Sequence, residues 1–254
     1  AELARVGHMI KRVEDEARGA LSKRAARPHL GGVAGSLKDG VEIRSGRAGY
    51  VQNIDPSRLK ALSEAADCRV QVLAVPGALV RKGDSLLRVS LDDLDDQARD
   101  DWYGAVAIGD ARSFDQDPRF GLIVLGEIAA RALSPGVNDP GTAIQVAATA
   151  LRLLDEWCRA SQDDEDRPAP CERIFAPCLD AGDLLDDAIG PVVRYGAGDV
   201  AVSMRVRKIL SRLAEQPGPF RDAAREMARD QVERVRNGHA TRSDRNRIEA
   251  IKVG

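Results

Sequence analysis

The sequence predicts an α+β fold: an N-terminal helix, a small β module, then a mainly α-helical region. Three observations carry that expectation. Apolar residues recur every three or four positions at the start of the chain and again after Asp117, which is the period of a helix with one buried face. Between these stretches, residues 41–89 hold short β-branched runs separated by Pro76-Gly77 and Lys82-Gly83-Asp84, the chemistry of strands and turns. Three Asp-Pro steps, Asp55-Pro56, Asp117-Pro118 and Asp139-Pro140, each stand just before an apolar helical pattern.

The first element is a helix with Leu3, Val6, Ile10, Val13, Ala17 and Ala20 on a narrow seam, otherwise charged. Two readings of the seam stand open: it packs on the chain's own body, or it forms a stalk that pairs with a second copy. The helix is expected to fail near Arg27-Pro28, and Gly31, Gly32 and Gly35 make the next stretch a loop. Strands are expected at Val41 to Arg44, Gly49 to Ile54, Arg69 to Val75 and Ser85 to Val89. Between the second and third, Asp55 is a helix cap, because its carboxylate accepts otherwise orphaned N–H groups, and Pro56 suits the first helical position because it has no N–H to orphan. Ser90 to Asp93 reads as a capping box opening another helix. Asp117 and Asp139 then cap two longer helices joined by Ser134-Pro-Gly-Val-Asn138, a link with the length and turn chemistry of an antiparallel helical pair. Further helices are expected near Asp183 to Arg194, Val200 to Glu215 and Phe220 to Asn237, with a last short one from Ser243 and Gly238 as a C-terminal stop. Arg173 to Ala176 reads as an edge strand. The expected organisation is therefore a seam or stalk helix over 1–27, a β module with an inserted helix over 41–112, and a helical domain over 113–254 that contains an acidic surface loop at 161–170.

Composition excludes several classes. The 254 residues are 43% hydrophobic and 31% charged, with no run of about 18 apolar residues that could span a bilayer. Lys+Arg 38 against Asp+Glu 40 gives a net charge of −2, a balance that argues against a duplex-binding protein, so no nucleic-acid partner is expected. The basic stretch from Lys23 to Arg27 is read as a solvated helix face. Four cysteines (Cys68, Cys158, Cys171 and Cys178) form no CxxC pair and only three histidines accompany them, so neither a zinc site nor any other metal or cofactor is expected. The carboxylates from Asp92 to Asp101 lack calcium-loop spacing and read as a solvated acidic face. The first residue is Ala rather than Met, which suggests a piece of a longer protein.

Several segments together resemble a bacterial family of predicted membrane proteins carrying domain of unknown function 2254. The resemblance rests on Ser45-Gly-Arg-Ala-Gly-Tyr-Val-Gln-Asn-Ile-Asp55, Val75-Pro-Gly-Ala-Leu-Val-Arg-Lys-Gly-Asp84, Ile108-Gly-Asp-Ala-Arg112, Gln116-Asp-Pro-Arg-Phe-Gly121 and, most specifically, Arg131-Ala-Leu-Ser-Pro-Gly-Val-Asn-Asp-Pro-Gly-Thr-Ala143. The opening Leu3-Ala-Arg-Val6 fits the junction after that family's membrane helices. The resemblance implies a soluble part whose partner is its own transmembrane segment; it implies no activity. More weakly, the β segment is similar to half of a lipoyl-like barrel-sandwich. Lys82 lacks the Ala-Met-Lys-Met context of a carrier lysine, so no swinging-arm cofactor is expected.

One loop gathers binding chemistry. Arg131, Ser134, Asn138 and Thr142 surround a helix N-terminus, and Arg112 is a further charge partner for a small anionic ligand. Against this, Asp55, Asp117 and Asp139 are structural caps, and Asp139 would itself fill the anion position. The caps are the preferred reading, and no catalytic set is found. The leading expectation is thus a non-enzymatic extramembrane domain of an integral membrane protein with an assembly, regulatory or solute-sensing role, and a homo-oligomer. The alternative is an enzyme or binding protein acting on a small anion near Arg112, Arg131, Asn138 and Thr142.

Overall fold

The computed structural model describes residues 2–162, 167–215, 218–238 and 240–254, with side chains from residue 5 onward. The Leu3 side chain, residues 163–166 of the acidic loop, Pro217 and His239 lie outside the described residues. The fold is α+β, with an N-terminal helix, a small β module and a helical region. Its two compact units are discontinuous in sequence: a β unit of Gly19–Phe120 and Ala160–Leu179, and a helical unit of Ala1–Arg18, Gly121–Arg159 and Asp180–Gly254.

In the β unit, β1 (Val41–Arg44), β2 (Gly49–Ile54) and β5 (Ser85–Val89) stand where alternation and turn chemistry put them. The third expected strand is shorter, β3 (Val70–Val72), and β4 (Leu79–Val80), β6 (Val106–Gly109) and β7 (Ile174–Phe175) complete two sheets. One sheet has the order β1-β5-β3-β7, antiparallel except for the β3–β7 pair; the other has the order β4-β2-β6, all antiparallel. Adjacent Leu86 and Leu87 on β5 are both fully buried, so both faces of that strand are covered. They share a core with Ile43, Val51, Ile54, Leu59, Val70, Trp102 and Ile174.

Asp55 caps α2 (Pro56–Ala65) as expected, accepting from the backbone N–H groups of Ser57 and Arg58 at 2.9 and 3.0 Å. The helix expected to open at Ser90 starts later, as α3 (Asp96–Tyr103), because Asp95 rather than Ser90 supplies the cap, accepting from Ala98 N at 2.7 Å. Ser90 instead accepts from the Arg69 backbone and ties the end of β5 to the start of β3.

The helical unit takes residues from α1 (Glu2–Ala26), α4 (Pro118–Ala132) and α5 (Pro140–Gln162), and all of α6 (Ala181–Gly196), α7 (Val200–Glu215), α8 (Arg221–Asn237) and α9 (Arg242–Glu249). The seam residues Ile10, Val13 and Ala17 are buried within it. A Cβ on Gly121 would lie 2.4 Å from the Cβ of Ala17, so glycine is what lets α4 lie against α1 here. Beside that seam Glu14, only 5% exposed, accepts from Arg18 and Arg152 at 2.9 and 3.1 Å. Asp180 and Asp199 cap α6 and α7. α8 stops at Gly238 as expected, with that glycine in an extended conformation at φ −88. All four cysteines are free thiols.

Candidate functional site

The loop predicted as a site is built in the helical unit by internal hydrogen bonds. Ser134 Oγ donates to the carbonyl of Arg131 at 2.7 Å, and the Asn138 N–H donates to the carbonyl of Ser134 at 2.8 Å. Asn138 has φ +50, the left-handed conformation that an Asn tolerates at a tight turn. Thr142 donates to Asp139 twice, through Oγ1 at 2.6 Å and through its N–H at 3.1 Å. The Thr142 hydroxyl, followed by its N–H, holds the Asp139 carboxyl below the usual aspartate range, so a charged carboxylate occupies the N-terminus of α5. Arg131 is exposed and lines a groove of about 870 Å³ with Val6, Met9, Val124, Ile128 and Val137.

Arg112 belongs to the other unit. Its Nε donates to Asp117 Oδ2 at 2.7 Å, and its guanidinium lies over the Phe120 ring, 5.4 Å from the centroid. Asp117 is 1% exposed and also accepts from the N–H groups of Arg119 and Phe120, so it caps α4 as expected. Gly77, at φ +92, closes over this pair: a Cβ there would lie 2.4 Å from the Asp117 carboxylate. Of the five predicted ligand-binding residues, Arg131, Ser134, Asn138 and Thr142 thus share one loop region, while Arg112 is committed to a buried carboxylate.

A different feature of the β unit has the character of a site. The seam spacing of α1 runs 10, 13, 17, 20 and continues to 24, where the residue is Arg. Arg24 is 6% exposed, and among the described residues none hydrogen-bonds or ion-pairs with its guanidinium. Burial lowers its pKa to about 10, against the pull of Asp117 and then of Cys178. It therefore remains charged at neutral pH, inside the protein, with the Asp117 carboxylate already engaged elsewhere. The guanidinium lines a cavity of about 400 Å³ together with Lys23, Arg27, Leu30, Pro56 and Gln116. Gln116 contributes shape rather than hydrogen bonds, since its amide is spent in both directions on the backbone of Ile54, each at 2.9 Å. Among the described residues, no carboxylate lines this cavity. Three cations, one of them buried, gather at this half-open cavity; unpaired buried charge is costly unless a partner arrives.

Sequence reasoning missed this site by taking Lys23 to Arg27 as a solvated face. The signal was present: a charged residue standing on the next position of an apolar seam.

A family model described as predicted membrane protein (DUF2254) matches residues 1–212. The uncharacterized proteins Mb1321c of Mycobacterium bovis and Rv1290c of Mycobacterium tuberculosis are each 30% identical over 186 residues, covering 70% of this chain and 35% of their own length. The uncharacterized protein MT1328 of Mycobacterium tuberculosis is 37% identical over 112 residues, 43% of this chain and 22% of its own. The match thus spans about a third of the length of the first two relatives. No solved structure matches the chain. Among the described residues, no helix is long and apolar enough to cross a membrane.

Proposed function

The chain belongs to the DUF2254 family of predicted membrane proteins, and from that premise we propose that it is an extramembrane domain that binds a small anion and regulates the membrane-embedded part of its protein. The observation that carries this reading is Arg24: a guanidinium 6% exposed, without a described hydrogen-bond or ion-pair partner, at a cavity shared with Lys23 and Arg27. Burying a charge that has no direct hydrogen-bond or ion-pair partner costs stability, and an anion that enters the cavity recovers it. The role we assign is sensing rather than catalysis. Four free thiols support placing the domain on the cytoplasmic side. The relatives are longer than the matched region, which leaves room for the membrane-embedded partner.

A second reading puts the anion at Arg131, favoured by that side chain's exposure at the 870 Å³ groove. Thermal unfolding with added inorganic phosphate or sulfate separates the two, since a ligand of the native state raises its apparent stability. The first reading expects the midpoint to rise in the natural chain and in Arg131→Gln, and to stay fixed in Arg24→Gln. A rise that survives Arg24→Gln but not Arg131→Gln supports the second reading, and no rise in the natural chain removes both.

A further inference from the structure

The cavity at Arg24 adjoins a larger one of about 660 Å³, with Ala26, Arg27 and Pro56 as common wall. The two differ in chemistry. The smaller is dominated by the cations of α1. The larger is walled mainly by apolar residues such as Pro28, Val33, Pro170 and Ile174, with His29, Ser57, Lys60 and Arg167 as polar residues and, among the described residues, no carboxylate. Its walls come from distant parts of the chain that backbone bonds hold together: the N–H of Val33 donates to the carbonyl of Ile174 at 2.9 Å, and that of Cys171 to the carbonyl of Gly31 at 2.8 Å. A Cβ on Gly32 would lie 2.2 Å from the Ile174 carbonyl oxygen, so the two segments are in direct apposition.

We infer that the ligand is an organic phosphomonoester, its phosphate held by Arg24, Lys23 and Arg27 and its apolar or ring-shaped body filling the adjoining chamber. This rests on the anion reading above and adds the ligand's class. Charge decides between head groups. A carboxylate brings one negative charge to three cations, whereas a phosphomonoester brings about −1.5 to −2 and three acceptor oxygens. The donors suit it: a guanidinium offers five N–H groups and an ammonium three. Size decides the body. A free phosphate leaves most of the paired chambers empty, and their volumes lie in the range of about 300–1,000 Å³ typical of sites for organic ligands. Prolines and aliphatic side chains make up most of the larger chamber's wall, beside Lys60 and Arg167 at its polar part, so the body it accepts is largely apolar. His29 adds one directional contact: its Nδ1 donates to the Ala176 carbonyl at 2.6 Å, which leaves Nε2 as the ring nitrogen available to a ligand.

A phosphomonoester on an apolar body can be a soluble metabolite or a phosphatidic-acid headgroup, and the test separates these sources. The full chain is titrated calorimetrically with inorganic phosphate, phenyl phosphate and benzoate, and by co-sedimentation with phosphatidylcholine vesicles with and without phosphatidic acid. Phenyl phosphate is expected to bind about tenfold or more tightly than either inorganic phosphate or benzoate, the scale that burial of one ring provides. Arg27→Gln, at an exposed position that leaves the fold intact, weakens both phosphate compounds together. Ala34→Trp, at an exposed wall of the larger chamber, removes the advantage of phenyl phosphate and leaves inorganic phosphate binding unchanged. Vesicle binding that requires phosphatidic acid and is lost in Arg27→Gln supports the class and assigns it to lipid; phenyl phosphate binding without it supports the class and assigns it to a soluble source. Equal affinity for phenyl phosphate and inorganic phosphate overturns the inferred class while leaving the anion site standing, as does benzoate binding as tightly as phenyl phosphate or an advantage that survives Ala34→Trp. Binding of none of these probes overturns both.

Discussion

Replacing Arg24 with Met removes a buried charge while keeping an unbranched side chain in the same space. Burial lowers the Arg24 pKa from its ordinary value to about 10, a drop of between two and three units. At roughly 1.36 kcal/mol per pKa unit, this corresponds to about 3 kcal/mol held against the folded state. A base whose folded pKa lies below its unfolded one binds its proton less tightly when folded. The cost is therefore complete below pH 10 and disappears only as pH rises above the folded pKa toward the ordinary arginine value. The figure is an upper bound, since the guanidinium borders a cavity and Met repacks the stem imperfectly. Arg24→Met is expected to stabilise the anion-free chain by about 1–3 kcal/mol, as replacement of buried charge by apolar groups commonly does. The assay is urea unfolding at pH 7 in phosphate-free buffer, read as a higher midpoint at unchanged slope. The same variant should gain nothing from added phosphate. If Arg24→Met instead loses 1 kcal/mol or more without phosphate, the guanidinium is a satisfied structural group and the reasoning fails.

Other perturbations test the surrounding architecture. Asp117→Ala strands the Arg112 guanidinium and uncaps α4, and should cost about 3–5 kcal/mol in chemical unfolding; a loss below about 1 kcal/mol would show the pair to be incidental. Asp139→Ala should cost about 1 kcal/mol through loss of its cap. Because the folded Asp139 carboxyl titrates below its ordinary 3.8, its contribution is present above that pH and is lost as pH falls through the folded value, so the variant should show a flatter acid limb in stability-against-pH curves. Under native conditions a disulfide reagent should modify exposed Cys178 before buried Cys68, whose thiol is pushed up by burial; the reverse order in a timed mass-spectrometric quench would contradict the burial described.

Local features of this fold were legible and long-range ones were not. The caps at Asp55, Asp117 and Asp139 could be read because an aspartate before a proline acts on the next turn of chain alone. β1, β2 and β5 were legible because alternation and turn residues bracket them. β4 and β6 were missed: Leu79–Val80 is too short to show a period, and Val106–Gly109 follows a helix without a turn signal. α3 was placed early because aspartates at 92, 93, 95 and 96 offer competing caps, and only the fold selects Asp95. The site depends on what covers the far end of α1. Lys23 to Arg27 carries charge enough to look solvated, and the chain that walls its cavities arrives partly from beyond residue 160.

The two-residue strand β7 sets an order of events as the protein is made. It pairs in parallel with β3, about a hundred residues earlier, and its neighbour Ala176 donates to the carbonyl of Val33. Until Ile174 and Phe175 leave the ribosome, the outer edge of β3 is an unpaired row of donors and acceptors, the kind of edge that invites wrong partners. All of α4 and α5 is synthesised in that interval. The β unit therefore finishes after most of those helices exist, and synthesis interleaves the two units instead of completing one before the other begins.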